Sequence, residues 1–386
     1  VTGALIDREK RGDGLLETGS GFFIHSAEKE GFSVKVRSLL LTVMVFVILG
    51  LFAAGNLSPA SAADEVFHWK WQAHQTAGSL PCETIIPRFI KRVEEMTGGR
   101  LKITLHYAGE LVEYTEVFPA LQANMIQIAN TGALFWRGSV PVGWITAGNL
   151  PPFITRSDAE FNELYHHRGL DDLMREAWAE HGIHFLGSHN VGDTYFWSKK
   201  PINSLEDLKG FKVRFFGAMS DAMEHFGASP IMLPHPEVYM AISTGTLDGA
   251  GTCWWQYRDL KHYEVCPYYI GPPWQVPQAM ELLVSQKAWD ALPRDIQAIL
   301  ETAAIVMSKE FADLNRIEEQ EMYRESFPKW GTKFIHWSEE DVDRITKEFS
   351  LPYLDKIAAE VGPKDARVVK GIEIIKQFMR DYGYID

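Results

Sequence analysis

Cysteine is scarce in this sequence: its 386 residues include three, Cys82, Cys253 and Cys266. That excludes a disulfide framework, and an odd count leaves at least one thiol unpaired within a chain. A bridge between Cys253 and Cys266 is one reading; burial of all three as small apolar side chains is the other and fits better. No Cys/His spacing matches a zinc site. Positive charge is also short. Against 51 Asp and Glu stand 38 Lys and Arg, a net charge of -13, whereas a nucleic-acid binder usually carries a basic face. Catalytic signatures are missing too. There is no P-loop, no G-x-S-x-G turn, no H-E-x-x-H helix and no dinucleotide-binding glycine fingerprint. His166-His167 and the His181/His184 pair lack a third ligand and read as solvated surface histidines. No pair of carboxylates stands out for acid/base work. Nothing implies a cofactor or a metal, and internal repeats and low-complexity segments are absent.

What is present suits an ordinary globular chain, with 46% hydrophobic and 23% charged residues. Its length allows two lobes, each with its own core. Near the N-terminus, Lys35 and Arg37 precede an apolar run from Leu39 to Ala54, and Ala60-Ser-Ala62 follows. That is the layout of a secretory signal peptide, with cleavage expected after Ala62. The run falls slightly short of the roughly 20 residues of a membrane-spanning helix. Residues 1–31 are mixed in charge and Gly-rich, unlike a signal peptide, and the expected translation start lies near Val34. Residues 1–62 therefore stand apart from the fold.

From Val66 onward, strand and helix patterns alternate. Val66 to Ala73 reads as a strand. Pro81 to Met96 reads as a helix with Ile85, Ile86, Phe89, Ile90 and Val93 on one face, stopped by Gly98-Gly99. Leu101 to Tyr107 alternates as a strand. A helix over Val117 to Met125 precedes a strand at Ile126 to Asn130, and a helix over Ser157 to His181 precedes one at Ile183 to Leu186. Such units argue for a largely parallel sheet covered by helices. A second lobe is expected to start near Gly187-Ser188, and the strand Glu281 to Ser285 to return to the first. Pro293, well tolerated in a first helical turn, opens a helical pattern reaching about Phe327.

The richest segment runs from Ser204 to Gly249. It sets Arg214 inside an apolar strand, Phe211-Lys-Val-Arg-Phe-Phe216, after a Gly210 stop and before a turn at Gly217-Ala218. A buried guanidinium requires an anion, and its fork fits a carboxylate in bidentate fashion. That anion is either one of the chain's own carboxylates or a ligand.

The same segment resembles the solute-binding proteins of TRAP transporters, the DctP-type family. The matching pieces are Lys200-Pro-Ile202, Ser204 to Gly210, Lys212-Val-Arg214, Phe226-Gly-Ala228 with Pro230, Glu237-Val-Tyr239, Thr244-Gly245 and Leu247-Asp-Gly249. Thr97-Gly-Gly-Arg100 and Ala288-Trp-Asp-Ala-Leu-Pro293 extend the likeness over nearly all of the mature chain. The resemblance implies an α/β fold of the two-lobed periplasmic-binding-protein (type II-like) architecture, with a long helix spanning both lobes. Lobe one is expected over 63–187 plus 277–320, and lobe two with the C-terminal helices over 188–276 plus 321–386. It implies an exported, periplasmic protein, not an enzyme, that hands a small organic carboxylate to membrane permease subunits. A 2-oxo or 2-hydroxy acid and an aromatic acid are the expected ligands, and a homodimer is an open expectation. A sensor subunit, or an extracytoplasmic enzyme acting on a carboxylic acid, is the alternative.

By this resemblance Arg214 clamps the carboxylate. Trp136, Tyr195, Trp197, Trp254 and Trp255 stand where relatives line the ligand, with Phe216 beside the clamp; each is also a plausible core residue. Gln72 and His74 are candidates for polar contacts from lobe one. One departure matters. The 2-oxo-acid binders often carry a Glu-Trp pair that helps to hold a cation, but Ala250-Gly-Thr-Cys-Trp-Trp255 has no acid. Tyr268-Tyr269 and Pro272-Pro-Trp274 still resemble that subgroup.

Overall fold

The computed structural model describes residues 42–44, 65–146 and 148–386. Residues 42–44, helical and exposed, belong to a separate N-terminal unit. The remainder of the signal-peptide reading, Lys35 to Ala62, lies outside the described residues. Among the described residues no helix is long and apolar enough to cross a membrane.

Among the described residues eleven strands build two sheets. They are β1 Phe67–Gln72, β2 Leu101–His106, β3 Ile128–Thr131, β4 Ile183–Asn190, β5 Thr194–Ser198 and β6 Lys212–Arg214, followed by β7 Ser229–Pro230, β8 Gly249–Cys253, β9 Tyr268–Gln275, β10 Ala279–Ser285 and β11 Lys333–His336. The first sheet has the order β2-β1-β3-β10-β4 and the second β11-β9-β5-β8-β6-β7. The expected strand at Glu281 to Ser285 does return to the first sheet, as β10 between β3 and β4.

Both sheets are mixed rather than largely parallel. β1 runs parallel to β2 and β3, but β10 is antiparallel to β3 and β4. β5 is antiparallel to β8 and β9. The reason is the way the chain crosses between sheets. It leaves the first sheet along β4 into β5 and comes back along β9 into β10, so the two crossings run in opposite directions. They are hydrogen-bonded to each other at the crossing itself, Val191 N–H to Gln278 O at 3.0 Å and Gln278 N–H to Gly192 O at 2.9 Å.

The helices follow the apolar periodicity. Ile86–Met96, preceded by one wider π turn over Pro81–Ile85, buries Ile86, Phe89 and Val93. The long helix runs Arg294–Glu321, 28 residues, or about 42 Å at 1.5 Å per residue. It carries on through Met322–Ser326 and Phe327–Trp330. Near its middle, Asn315 donates to Asn190 Oδ1 on β4 at 3.1 Å and accepts from Trp254 Nε1 at 3.0 Å. Further on, the Tyr323 ring lies 5.5 Å from Phe334 of β11. One helix thus backs both sheets. The helix expected over Ser157 to His181 is broken by Gly169, at φ 92°, into a run of Asp158–Asn162 continued by a wider π turn over Glu163–His167, and a second helix Leu170–Ala179. β11 was not legible, because its short exposed pattern lacks alternation. All three cysteines are free and buried, with no bridge between Cys253 and Cys266.

Candidate ligand site

β6 lies parallel to β8, with Arg214 opposite Ala250. Arg214 therefore sits at the C-terminal end of a parallel strand, where open α/β sheets leave a crevice. The helix Gly217–His225 follows at once. Its first turn is held from elsewhere in the chain, since the Ala218 N–H donates to Asn149 Oδ1 at 3.0 Å. On the other side of Arg214, β8 must be glycine-rich. A Cβ on Gly251 would lie 2.2 Å from the Phe215 ring.

Arg214 is 3% exposed and borders a cavity of about 250 Å³. A guanidinium has five N–H groups. Three are engaged here: Nε donates to Leu233 O at 3.1 Å, Nη1 to Gly251 O at 3.4 Å, and Nη2 to His235 Nε2 at 3.3 Å. One N–H remains on each terminal nitrogen. Among the described residues no carboxylate pairs with Arg214, so the alternative of an internal ion pair is not realised. Burial pulls its pKa down to about 10, and the group stays charged at neutral pH.

The surrounding histidines are neutral. Burial first, then the Arg214 charge, pulls His74 down to about 3, and His262 likewise. The same two causes hold His235 well below its usual value. Because His235 Nε2 accepts from Arg214, the neutral ring carries its proton on Nδ1. That nitrogen is buried and has no partner. Gln256 Oε1 is likewise buried and unpartnered.

Of the residues singled out from sequence, Arg214, Phe216, Trp255 and His74 border the cavity. The Phe216 ring lies 5.6 Å from the Arg214 guanidinium carbon. The Trp255 indole is anchored by its N–H to Val191 O at 2.8 Å. The other five do not border it. Trp197 and Tyr195 lie on β5, a strand covered on both faces, and their rings pack on Tyr269 at 6.0 and 4.9 Å. Trp254 faces the long helix through Asn315. Trp136 turns away onto Phe118 at 5.7 Å, its N–H donating to Thr115 O. Gln72 ties the end of β1 to the following loop, donating to Tyr107 O at 2.7 Å and accepting from Leu111 N–H at 3.3 Å.

Their places in the wall are taken by residues that carried no motif. Phe135 borders the cavity where Trp136 does not, since successive residues in a helical turn point in different directions. Tyr114 packs on His74 at 4.7 Å and donates to its carbonyl at 2.8 Å. Gln75, Gln256 and Gln278 supply amides, and Met232 and Met280 apolar surface. His235 had a faint signal, flanked by Pro234 and Pro236 at a helix start. Among the described residues no group of three His, Cys, Asp or Glu side chains is placed to hold a metal ion.

Comparison with known proteins agrees with this architecture. A family model described as bacterial extracellular solute-binding protein, family 7 (DctP), matches residues 73–360. A monocarboxylate 2-oxoacid-binding periplasmic protein of Nostoc sp. is 30% identical over 299 residues, 75% of this chain and 78% of that one. An open, ligand-free TRAP periplasmic solute-binding protein from Rhodobacter sphaeroides is 25% identical with a TM-score of 0.66, covering 82% of this chain and 99% of its own. An extracytoplasmic solute receptor of Bordetella pertussis that binds pyroglutamic acid is 25% identical with a TM-score of 0.70, covering 80% and 99%. With its two crossing-linked sheets, its spine helix and a match over most of its length, this chain belongs to the DctP family of TRAP-transporter solute-binding proteins.

Proposed function

We propose that this protein captures a small organic carboxylate outside the cytoplasm and delivers it to the membrane subunits of a TRAP transporter. Arg214 is the observation that carries the reading. Among the described residues it is a buried cation without a counter-ion; it borders the cavity, and one N–H on each terminal nitrogen is unengaged. Two parallel N–H groups suit a bidentate carboxylate. A closed, water-poor cavity strengthens that pair. Export through the segment read as a signal peptide fits the same role, as does a Nostoc relative named for binding 2-oxo monocarboxylates. The two sheets represent the two lobes, which close on the ligand about the β4/β5 and β9/β10 crossings.

Isothermal titration of the purified protein with a panel of organic acids tests this. Wild type is expected to bind at least one acid, and Arg214→Ala to lose binding by ~100-fold or more, as for a buried charge pair cut on one side. Arg214→Lys should also bind weakly, because a point charge does not reproduce the fork. Unchanged affinity in Arg214→Ala would remove the clamp from the site.

A further inference from the structure

Resting on that reading, we infer that the ligand is a singly charged acid with an apolar body of about ring size, taken up without a metal cation. Charge counting within the cavity wall carries this. Among the described residues Arg214 is the sole Lys or Arg on it, and no Asp or Glu borders it. His74 and His235, the two histidines on the wall, are neutral. The cavity therefore holds one positive charge and offers nothing to balance a second charge of either sign.

Three ligand classes follow as excluded. A dicarboxylate would place its second carboxylate in the interior without a cation to meet it, and an unpaired buried charge is strongly unfavourable. An amino acid would bring an ammonium next to Arg214 with no carboxylate to receive it. A cation beside the ligand, as the 2-oxo-acid binders of the family hold, needs hard oxygen donors, above all carboxylates. Here the position following β8 offers Trp254, Trp255 and Gln256 instead, and the neighbouring acid-free strand ends in Thr252 and Cys253. The donor set does not fit that cation.

The rest of the wall describes the body of the ligand. Tyr114, Phe135, Phe216, Trp255, Met232 and Met280 give it a largely aromatic and thioether surface. A cavity of about 150 Å³ already admits benzene. The about 250 Å³ available here leaves room for a ring together with a short acid-bearing chain. Three unsatisfied buried atoms of the wall, His74 Nδ1, His235 Nδ1 and Gln256 Oε1, add hydrogen-bonding capacity for a further uncharged polar group on the ligand.

The test uses the purified, ligand-stripped protein and matched acids that differ by one charge. Phenylacetate, 3-phenylpropionate, indole-3-acetate and hexanoate are the singly charged apolar set. Phenylsuccinate adds a carboxylate, phenylalanine adds an ammonium, and pyruvate and succinate lack the apolar body. Each is titrated in EDTA and again with excess sodium or calcium. The expected result is binding by one or more of the singly charged apolar acids, with the same Kd in both buffers. Phenylsuccinate and phenylalanine should be at least ~10-fold weaker than 3-phenylpropionate, as expected for burying an unpaired charge. Binding confined to pyruvate, succinate or the charged derivatives, or binding that appears only with a cation, overturns this inference and leaves carboxylate capture standing. No binding by any acid in either buffer, with no carboxylate recovered from the protein as purified, overturns both.

Discussion

At the scale of single residues, the site and one buried carboxyl outside its wall set testable balances. Arg214 is buried without a counter-charge among the described residues; if it serves the proposed ligand, it does so at some expense to the empty protein. Replacing such a charge by an apolar residue of similar length is often neutral or stabilising. Ligand-free Arg214→Met is therefore expected to unfold at a temperature no lower than wild type in a thermal scan, while binding is lost. A fall of several degrees would instead mark Arg214 as a structural residue. Glu281 makes the second balance. It is fully buried on β10, where Oε2 accepts from Trp178 Nε1 at 2.7 Å and from the Ala133 N–H at 3.2 Å, while Oε1 has no partner. Burial pushes its pKa up to about 8, against about 4.3 when unfolded. With the folded value the higher one, its contribution is full below about pH 4 and is lost as pH rises toward about 8. In Glu281→Gln this titration is gone. Urea unfolding across that window should show the wild type losing ground to the variant by up to ~1.4 kcal/mol per pH unit. A difference that stays flat with pH would mean that Glu281 is ionised in the native protein.

At the scale of elements, β6 and β8 set the geometry around the clamp. Arg214 is the last residue of β6, opposite Ala250, while its parallel neighbour β8 runs on to Cys253 before the helix Trp254–Asp259 begins. β8 lets Phe215 lie against its backbone by having no side chain at Gly251. Gly251→Ala puts a methyl group 2.2 Å from that ring, so Phe215 must shift and take Arg214 with it. Overpacking of this kind costs about 1–3 kcal/mol. Urea unfolding of the variant should register a loss in that range, together with weaker acid binding; wild-type stability would mean that β6 and β8 separate freely. Neighbouring side chains within an element explain why two of the five singled-out residues that miss the cavity, Trp136 and Trp254, do so. Phe135 and Trp136, or Trp254 and Trp255, differ by one position on a helical turn, and one member of each pair borders the cavity while the other does not.

At the scale of the whole molecule, one polar hub joins the crossing, the long helix and the segment after β8. Asn190 Oδ1 accepts from Gly192 N–H at 2.6 Å and from Asn315 Nδ2, and Asn315 Oδ1 in turn receives the Trp254 indole. The crossing, the spine helix and the second sheet thus meet beside the cavity wall. Closure about such a point changes overall shape more than local structure. In solution scattering, a saturating acid is expected to reduce the radius of gyration of wild type and to leave that of Arg214→Ala unchanged. A bound ligand without compaction would make the cavity a fixed pocket rather than a closing cleft.

The sequence alone determined the repeating strand and helix units, because apolar periodicity is written in neighbouring residues: β1, β2, the Ile86–Met96 face and the long helix after Pro293 could all be read locally. It also pointed to Arg214, since a cation inside an apolar strand is conspicuous without any coordinates. Strand direction in the two sheets was not local information; it followed from the chain crossing twice between them, which reversed β5 and β10. Nor was the cavity wall. Tyr114, Phe135, His235, Gln256 and Gln278 come from five separate parts of the chain and face one guanidinium only after both sheets are assembled. Tertiary packing alone decided that no carboxylate of the described residues reaches Arg214. That absence of a partner, which no motif encodes, is the ground for proposing that its charge meets a ligand.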